Sequence, residues 1–387
     1  MSEALSIYVG AGQCIIGARP KQKGTTRMTA ATMQALVYTA PREGTQLREI
    51  ARPQPGPGEV VLEVAAVGVC GTDIHVWQHG MHGGGPVVLG HEFAGVVAAV
   101  GAGVSSVRPG DRVVSETASY VCGECIYCRS GQYNVCPRRR GFGFQADGAM
   151  ANYVRTRPAI LHRVPDDLPM AYAALTEPGC VAYNAIIEKS RPRPGDHAVV
   201  LGPGPIGLMS VAVLRLCGPT RISVVGLRRD GIRLELARRM GADEVVIADE
   251  EDAVARVLNS GDGYGADLVI DAVGVSATLR QSLDMVRPNG QITKIGWGPE
   301  PVGFSLDALI RKAATLQGSF SHTYGTWERV LTLLASRQID VRPLVSPFAL
   351  SDWYAGFSAM EDLEAAKSVL LPNGHALAEL YSEVQKH

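Results

Sequence analysis

Predicted strands and helices alternate between about residues 175 and 316, and this alternation constrains the fold more than any other feature of the sequence. Apolar strand segments fall at 197–201, 221–225, 244–247, 266–270 and 291–295, and helical segments at 206–216, 232–240, 251–258 and 276–286. A strand, a helix and a further strand in succession place the two strands parallel in one sheet. The sequence therefore predicts an α/β domain built on a parallel sheet.

The segments on either side of this region have a different pattern. From residue 34 to about 160, short β-branched runs such as 58–64 and 95–100 alternate with Gly and Pro turns, which predicts an irregular β-rich domain. The tail predicts two helices, at 327–334 and 361–370, and is too short for a core of its own. We therefore expect two domains, one formed by 34–184 together with 319–387 and the other by 185–318.

Composition excludes several classes of function. The chain has 387 residues and a net charge of −1, which gives no electrostatic reason to expect nucleic acid as a partner. No run of 18 apolar residues occurs, so a membrane span is not expected. In residues 1–33 the apolar stretch precedes the basic one, the reverse of a secretory signal. This segment is interpreted as a loosely ordered extension or as the product of an upstream start codon.

A glycine-rich loop follows the strand at 197–201. Its glycines are Gly202, Gly204 and Gly207, and Pro205 and Ile206 open the next helix. The first glycine permits a tight turn, the second lets the backbone approach a pyrophosphate, and the third lets the helix pack closely on the strand. The N-terminus of that helix faces the phosphates. This pattern, in this context, predicts dinucleotide binding.

The residues after the second strand bear on which dinucleotide is bound. An acidic residue would hold the adenosine ribose and repel a 2′-phosphate, but this chain has Gly226. Arg228, Arg229 and Arg233 follow, and guanidinium groups suit a phosphate. NADP is therefore slightly favoured, and NAD stays open because Asp230 could bend back to the ribose.

Four cysteines lie close together in a loop-like segment, with the spacing C-x2-C-x2-C-x7-C. They are Cys122, Cys125, Cys128 and Cys136. Tetrahedral zinc takes four thiolates, and two intervening residues let the chain fold around the ion. Disulfides are the alternative, but neighbouring C-x2-C cysteines make strained bridges and nothing marks the chain as secreted. A closed structural zinc site and a reduced, cytoplasmic protein are expected.

Three other segments carry metal-ligand residues without enough neighbours to form a site alone. Cys70 opens the run C-G-T-D-I-H, His91 and Glu92 follow a glycine, and Glu177 precedes a proline. Each is weak by itself, because a lone cysteine or histidine is more often an ordinary buried residue. Their presence in this order beside the cysteine cluster and the glycine loop is what indicates a second metal site.

In this combination and order, the sequence resembles the zinc-dependent medium-chain dehydrogenase/reductase family. It looks most like the branch of sorbitol (L-iditol), polyol and threonine dehydrogenases, where a glutamate stands at the position of Glu177. The resemblance covers residues 34 to about 380. It implies a GroES-like catalytic domain and a Rossmann domain with a doubly wound parallel sheet. It also implies a homodimer or homotetramer in contact through the edge strand near 291–297 and the segment after it.

The family's functional residues carry over to matching positions. Cys70 and His91 would bind the catalytic zinc, with Glu92 and Glu177 bound directly or through water. The resemblance implies that zinc acts as a Lewis acid, so that the alkoxide of an alcohol or polyol can expel hydride to NAD or NADP. It further implies that Thr72 and His75 carry the proton to solvent.

Two departures limit the substrate prediction. Sorbitol dehydrogenases carry a Tyr just after the histidine of the first motif and an Arg-Tyr pair after Gly-Ser-Phe, whereas this chain has Val76, Ser321 and His322. A secondary alcohol is therefore a safer prediction than sorbitol, and His322 and Tyr324 offer different polar contacts. A threonine-type dehydrogenase, a zinc-independent quinone or enone reductase and a non-catalytic cofactor sensor remain alternatives.

Overall fold

The computed structural model describes residues 31–81, 85–298, 300–374, 376 and 379–380. Residues 1–30 of the predicted extension lie outside this part of the chain, so its loose order stays a prediction. Among the described residues, no helix has the length and apolarity needed to cross a membrane.

The N-terminal half forms short strands around a few short helices. Its strands are β1 Thr32–Tyr38, β2 Thr45–Ala51, β3 Val60–Gly68, β4 Val87–Val88, β5 Glu92–Val100, β6 Arg112–Ser115, β7 Ala118–Tyr120, β8 Arg140–Gly141, β9 Tyr153–Thr156 and β10 Leu161–Arg163. Its helices are α1 Gly71–His79, α2 Ile126–Arg129, α3 Met170–Ala173 and α4 Thr176–Tyr183. The predicted irregular β-rich organisation is confirmed.

Strands and helices then alternate as the sequence predicts. The elements are β11 His197–Leu201, α5 Pro205–Cys217, β12 Arg221–Gly226, α6 Gly231–Arg239, β13 Glu244–Ile247, α7 Ala253–Asn259, β14 Ala266–Asp271, α8 Ser276–Met285, β15 Val286–Lys294, α9 Asp307–Lys312 and β16 Thr315–Gly318. The sheet is parallel with the order β13-β12-β11-β14-β15-β16, the doubly wound arrangement of a Rossmann domain.

The tail returns to the first half, as predicted, through α10 Tyr324–Ala335, β17 Val345–Ala349, α11 Trp353–Glu361 and β18 Lys367–Leu371. The sheet it joins has the order β10-β6-β5-β3-β18-β17, with β9 also paired to β3. The domain boundaries proposed at 184/185 and 318/319 stay a prediction.

Two predictions are wrong, one about the conformation of a segment in the tail and one about which strand forms the edge of the parallel sheet. The segment 361–370 was expected to be helical, but its second half is strand β18, all of whose residues are buried between β3 and β17. Pairing on both sides outweighs the helix propensity of the preceding Glu-Ala-Ala-Lys run. The segment 291–297 was expected at the sheet edge, but β15 lies between β14 and β16, so β16 forms that edge.

The packing of α4 fixes the position of the later site. This helix packs on α5 of the parallel sheet and on α10 of the tail within one continuous apolar cluster. Trp327 of α10 is fully buried in it. Truncating a buried tryptophan costs about 3–5 kcal/mol, so α4 is held firmly against both halves of the chain.

Candidate active site

Cys70 lies at the start of α1, just after β3. Its backbone N–H donates to Oδ2 of Asp73 at 2.9 Å, and its carbonyl oxygen accepts from the backbone N–H of Asp73 at 3.0 Å, so the two residues together close the first turn of the helix. Backbone amides at a helix N-terminus carry partial positive charge. The local fold thus places the Cys70 sulfur at the end of α1 that attracts negative charge.

His91 and Glu92 reach the same place at the start of β5. The preceding Gly90 has φ of 95°, and a Cβ there would lie 2.9 Å from the backbone nitrogen of Met150, so this turn requires glycine. One ligand atom each from Cys70, His91 and Glu92 lie within 4.8 Å of one another. Both His91 and Glu92 are buried. Sulfur, imidazole nitrogen and carboxylate oxygen in such a group fit zinc.

Lys367 of β18 is buried against this cluster, although no sequence motif pointed to it. Its Nζ lies 2.5 Å from Oε2 of Glu92 and donates to the carbonyl of Val69 at 2.8 Å. Burial would lower the pKa of Lys367, but the charge of Glu92 raises it overall, so the ammonium stays charged. The cation fixes one carboxylate oxygen of Glu92 and partly neutralises the cluster.

Glu177 lies in the first turn of α4, near the cluster but outside the group whose ligand atoms meet within 4.8 Å. Its Oε1 is 3.2 Å from Nε2 of His322. Burial would raise the pKa of Glu177, but the hydrogen bond from His322 lowers it overall, so the carboxylate is ionised. Of the two glutamates, Glu92 is thus placed beside Cys70 and His91, and Glu177 is held by a histidine.

Thr72 and His75 both lie on α1 and are both exposed. The His75 ring lies 4.9 Å from that of His79, one turn further along the helix. Since Cys70 is the N-cap of α1, the solvent-facing side of this helix runs from the metal-ligand cluster to water. This placement is compatible with a proton path along the helix.

The four cysteines of the lobe at 122–136 come together as their spacing predicts. Their sulfur atoms all lie within 4.8 Å of one another, and those of Cys122 and Cys128 are 3.8 Å apart and those of Cys122 and Cys136 3.6 Å. Four sulfurs at about 2.3 Å from a tetrahedral zinc would be about 3.8 Å apart. The backbone amide of Cys125 lowers the pKa of Cys122 to about 6. The cluster fits a structural zinc ion, and none of its cysteines is in a disulfide.

The glycine loop joins β11 to α5 with the geometry that a pyrophosphate requires. Gly202 has φ of 91°, and a Cβ on Gly207 would lie 1.9 Å from the carbonyl oxygen of Gly202. Gly204 is the N-cap of α5, with Pro205 as its first residue and Ile206 next, and a Cβ on Gly204 would meet no atom within 4 Å. The close packing and the open space at the helix N-terminus fit the phosphates of NAD or NADP.

The arginines after β12 differ in their surroundings. Arg228 forms an ion pair with Glu250, and Arg229 is exposed. Arg233 is buried, and its Nη2 donates to the carbonyls of Met360 and Ala365 at 3.0 Å each. Arg233 therefore ties α6 to the tail, whereas Arg228 and Arg229 both face solvent, Arg228 in its ion pair with Glu250.

A zinc-type ligand cluster and a dinucleotide crevice within one chain define a metal-dependent, dinucleotide-dependent oxidoreductase. Comparison with known proteins agrees. The chain matches the alcohol dehydrogenase GroES-like domain over residues 56–166 and the zinc-binding dehydrogenase family over residues 205–336. It belongs to the zinc-dependent medium-chain alcohol dehydrogenase family, and by class it is an NAD(P)-dependent alcohol or polyol dehydrogenase.

Several relatives illustrate the branch. A sorbitol dehydrogenase of Halalkalibacterium halodurans is 38% identical over 88% of this chain and 99% of its own length. A D-arabitol-phosphate dehydrogenase of Enterococcus avium is 37% identical over 84% of this chain and 93% of its own. The structure of 2R,3R-butanediol dehydrogenase from Bacillus subtilis superimposes with a TM-score of 0.80 at 28% identity, covering 88% of this chain and all of that one.

His322 and Lys367 are the site residues whose place the sequence did not reveal. His322 was expected to offer a substrate contact, but it is buried with its ring against Glu177. Lys367 lies in a segment predicted to be helical. The one available signal was a lysine within an apolar run, Lys367 to Leu371, which in a buried strand requires an acidic partner.

Proposed function

We propose that this chain oxidises a secondary alcohol on a small polyol or related hydroxy compound at the Cys70, His91 and Glu92 cluster. The observation that carries the proposal is the meeting of these three ligand groups beside Glu177 in a chain that also has the glycine loop. The alcohol loses a proton and a hydride, and the hydride passes to the oxidised nicotinamide. A zinc ion in the cluster would supply a Lewis acid that favours loss of the hydroxyl proton.

The chain's own residues divide the remaining tasks. Cys70 and His91 would hold the metal, with Glu92 as a third ligand whose other oxygen stays with Lys367. We assign to Glu177 the role of a further carboxylate that would bind the metal directly or through water. The buried walls around these groups exclude bulk water and strengthen the electrostatic interactions on which the reaction depends.

We assign the proton path to Thr72 and His75. Both are on the exposed side of α1, and a histidine at the solvent edge can pass a proton to water at neutral pH. His75→Asn should slow oxidation of the alcohol at neutral pH and be partly rescued by added imidazole. His79→Asn, one turn further on, is the matched control and should leave both properties unchanged.

We propose NADP as the preferred cofactor, with Arg229 as the contact to the 2′-phosphate. A Cβ at Gly226 would lie 2.8 Å from Leu234 and 3.0 Å from Pro203, which disfavours the acidic side chain that would repel this phosphate. A similar dehydrogenase from Sinorhizobium meliloti is bound to NADP, and one from Escherichia coli is bound to NADH. Arg229→Ala should weaken NADP but not NAD binding by fluorescence titration, and equal weakening would refute the assignment.

We propose a homodimer that forms along the open edge strand β16. Apolar side chains near this edge are exposed, with Trp297 at 77% and Ile310 at 80% of their full exposure. Exposed apolar groups beside an unpaired strand edge favour association with a second copy. Light scattering should give twice the chain mass, and Ile310→Lys should give the monomer. Because the lobe's cysteines are thiols, we place the protein in the reducing cytoplasm.

The substrate class is tested by initial rates with polyols, secondary alcohols and 3-hydroxy amino acids, each with NAD and NADP, before and after chelation. The last group is included because L-threonine 3-dehydrogenases are among the relatives, at up to 35% identity. Cys70→Ser should abolish turnover and remove one of two bound zinc ions. Cys217→Ser is the control and should retain both. A metal-dependent reaction would be refuted if turnover persisted after chelation or in the Cys70→Ser variant.

A further inference from the structure

His322 is held between two partners whose chemistry determines which ring nitrogen accepts a hydrogen bond and which one donates. The indole Nε1 of Trp327 lies 2.7 Å from Nδ1 of His322, and Nε2 of His322 lies 3.2 Å from Oε1 of Glu177. An indole N–H can only donate, so Nδ1 must accept. The neutral imidazole then carries its proton on Nε2, where it donates to the carboxylate. With this arrangement of donors and acceptors, the Glu177 carboxylate accepts a hydrogen bond from Nε2 of His322.

Trp327 is itself fixed from its other side. Its ring stacks on that of His162, with 5.5 Å between centroids and 8° between planes. His162 is fully buried, with Nδ1 2.5 Å from Oε1 of Glu328 and Nε2 3.3 Å from Oε1 of Glu116. A carboxylate at each ring nitrogen leaves His162 little freedom to rotate. The indole N–H is thereby aimed at His322.

The backbone that leads to His322 is also pinned. Asn134, in the four-cysteine lobe, donates from Nδ2 to the carbonyl of Phe320 at 2.9 Å. Asn184, just after α4, donates to Oγ of Ser319 at 2.9 Å. These contacts fix the segment before His322 relative to both the lobe and the helix of Glu177. The imidazole therefore reaches Glu177 from a rigid support.

We propose that Trp327 and His322 are positioning residues of the dehydrogenase site, in which the indole fixes the His322 tautomer and His322 holds the Glu177 carboxylate toward the catalytic metal position. The proposal rests on the function proposed above, since it gives Glu177 a place beside the reacting groups. Without the indole N–H, His322 could place its proton on Nδ1 and present a lone pair to Glu177. The carboxylate would then lose its hydrogen bond and could turn away.

The test uses the full-length, zinc-loaded protein and its cobalt-substituted form. The variants are His322→Ala, Trp327→Phe and the double variant, with Trp353→Phe as a matched control in α11. Phenylalanine keeps the ring that stacks on His162 and removes only the N–H. We expect each single variant to lower kcat by about 10- to 100-fold, the usual range for partners of metal-site residues, with cofactor binding unchanged.

Two readouts separate positioning from general damage. Because Trp327 acts through His322, the kcat of the double variant should be no lower than that of His322→Ala. The effects of the two substitutions would then be strongly non-additive. The visible absorption of bound cobalt, which reports ligand geometry, should shift in the same direction in both single variants and stay unchanged in Trp353→Phe. His322→Gln, whose amide can still donate to Glu177, should recover part of the loss.

The proposal would be overturned if the fold-losses in kcat of the two single variants multiplied in the double variant. It would also be overturned if the cobalt spectra of the single variants were the same as that of the wild type. Cofactor binding reports whether each variant is folded. If His322→Ala does not bind the cofactor, His322→Gln or His322→Asn takes its place in the comparison. Wild-type protein without chelator-sensitive turnover would refute the proposed function instead. Wild-type turnover with independent effects at Trp327 and His322 would refute only the positioning role.

Discussion

Replacing Lys367 with methionine should strongly destabilise the metal-free protein. Lys367 and Glu92 are both about 1% exposed, with Nζ and Oε2 2.5 Å apart, and Nζ also donates to the carbonyl of Val69. Removing one partner of such a pair leaves an uncompensated buried charge, at a cost of about 3–5 kcal/mol. With an unfolding entropy of about 2.1 cal/mol/K per residue over the chain, this corresponds to a fall in Tm of about 4–6 °C.

The assay is calorimetric unfolding after chelation, because a bound metal would itself compensate Glu92. The matched control is Arg238→Met, which breaks the exposed pair of Arg238 with Glu235 and should change Tm by less than about 1 °C. The double variant Lys367→Met with Glu92→Gln removes both charges and should recover at least half of the loss. Zinc should stabilise Lys367→Met more than the wild type. The reasoning fails if Lys367→Met melts like Arg238→Met, or if the double variant is less stable than the single one.

Three further predictions follow from other parts of the fold. Gly207→Ala should abolish NAD(P) binding, measured by fluorescence titration, because its Cβ would lie 1.9 Å from the Gly202 carbonyl oxygen. Cys125→Ser should remove one zinc ion by metal analysis and lower Tm, while the cobalt spectrum of the catalytic site stays unchanged. Burial would raise the pKa of Glu244, but hydrogen bonds, chiefly from Arg256 at 2.6 Å, lower it below its ordinary 4.5. Its contribution, at most about 1 kcal/mol for so exposed a pair, is therefore present above pH 4.5 and lost as pH falls through the lowered pKa, so urea unfolding of Glu244→Gln should differ from wild type at pH 7 and converge with it at pH 3.

The sequence was sufficient where the chemistry depends on residues close together along the chain. The spacing of Cys122 to Cys136 predicts their meeting, because a zinc knot needs only a short loop that can fold on itself. The glycine loop is equally local, since strand, turn and helix follow one another and each glycine has a steric reason. The parallel direction of the strands followed from their alternation with helices.

Sequence reasoning failed where a segment's state depends on distant partners. The run 361–370 has helix-forming residues, but β18 pairs with β3, some 300 residues earlier, and that pairing decides its conformation. The edge of the parallel sheet was misplaced for the same reason, because the order of strands in space is set by the crossovers and not by their order along the chain.

The sequence by itself determined the family, the reaction class and the ligand types, because motifs record the atoms that metals and phosphates require. Only the tertiary structure decided which groups surround those atoms. Lys367 reaches Glu92 from a strand near the C-terminus, His322 reaches Glu177 from the tail, and Arg233 turns from the cofactor to backbone carbonyls. These contacts join residues more than 100 positions apart, and a buried charge is stabilised by whichever partner the fold brings near, which no local pattern specifies.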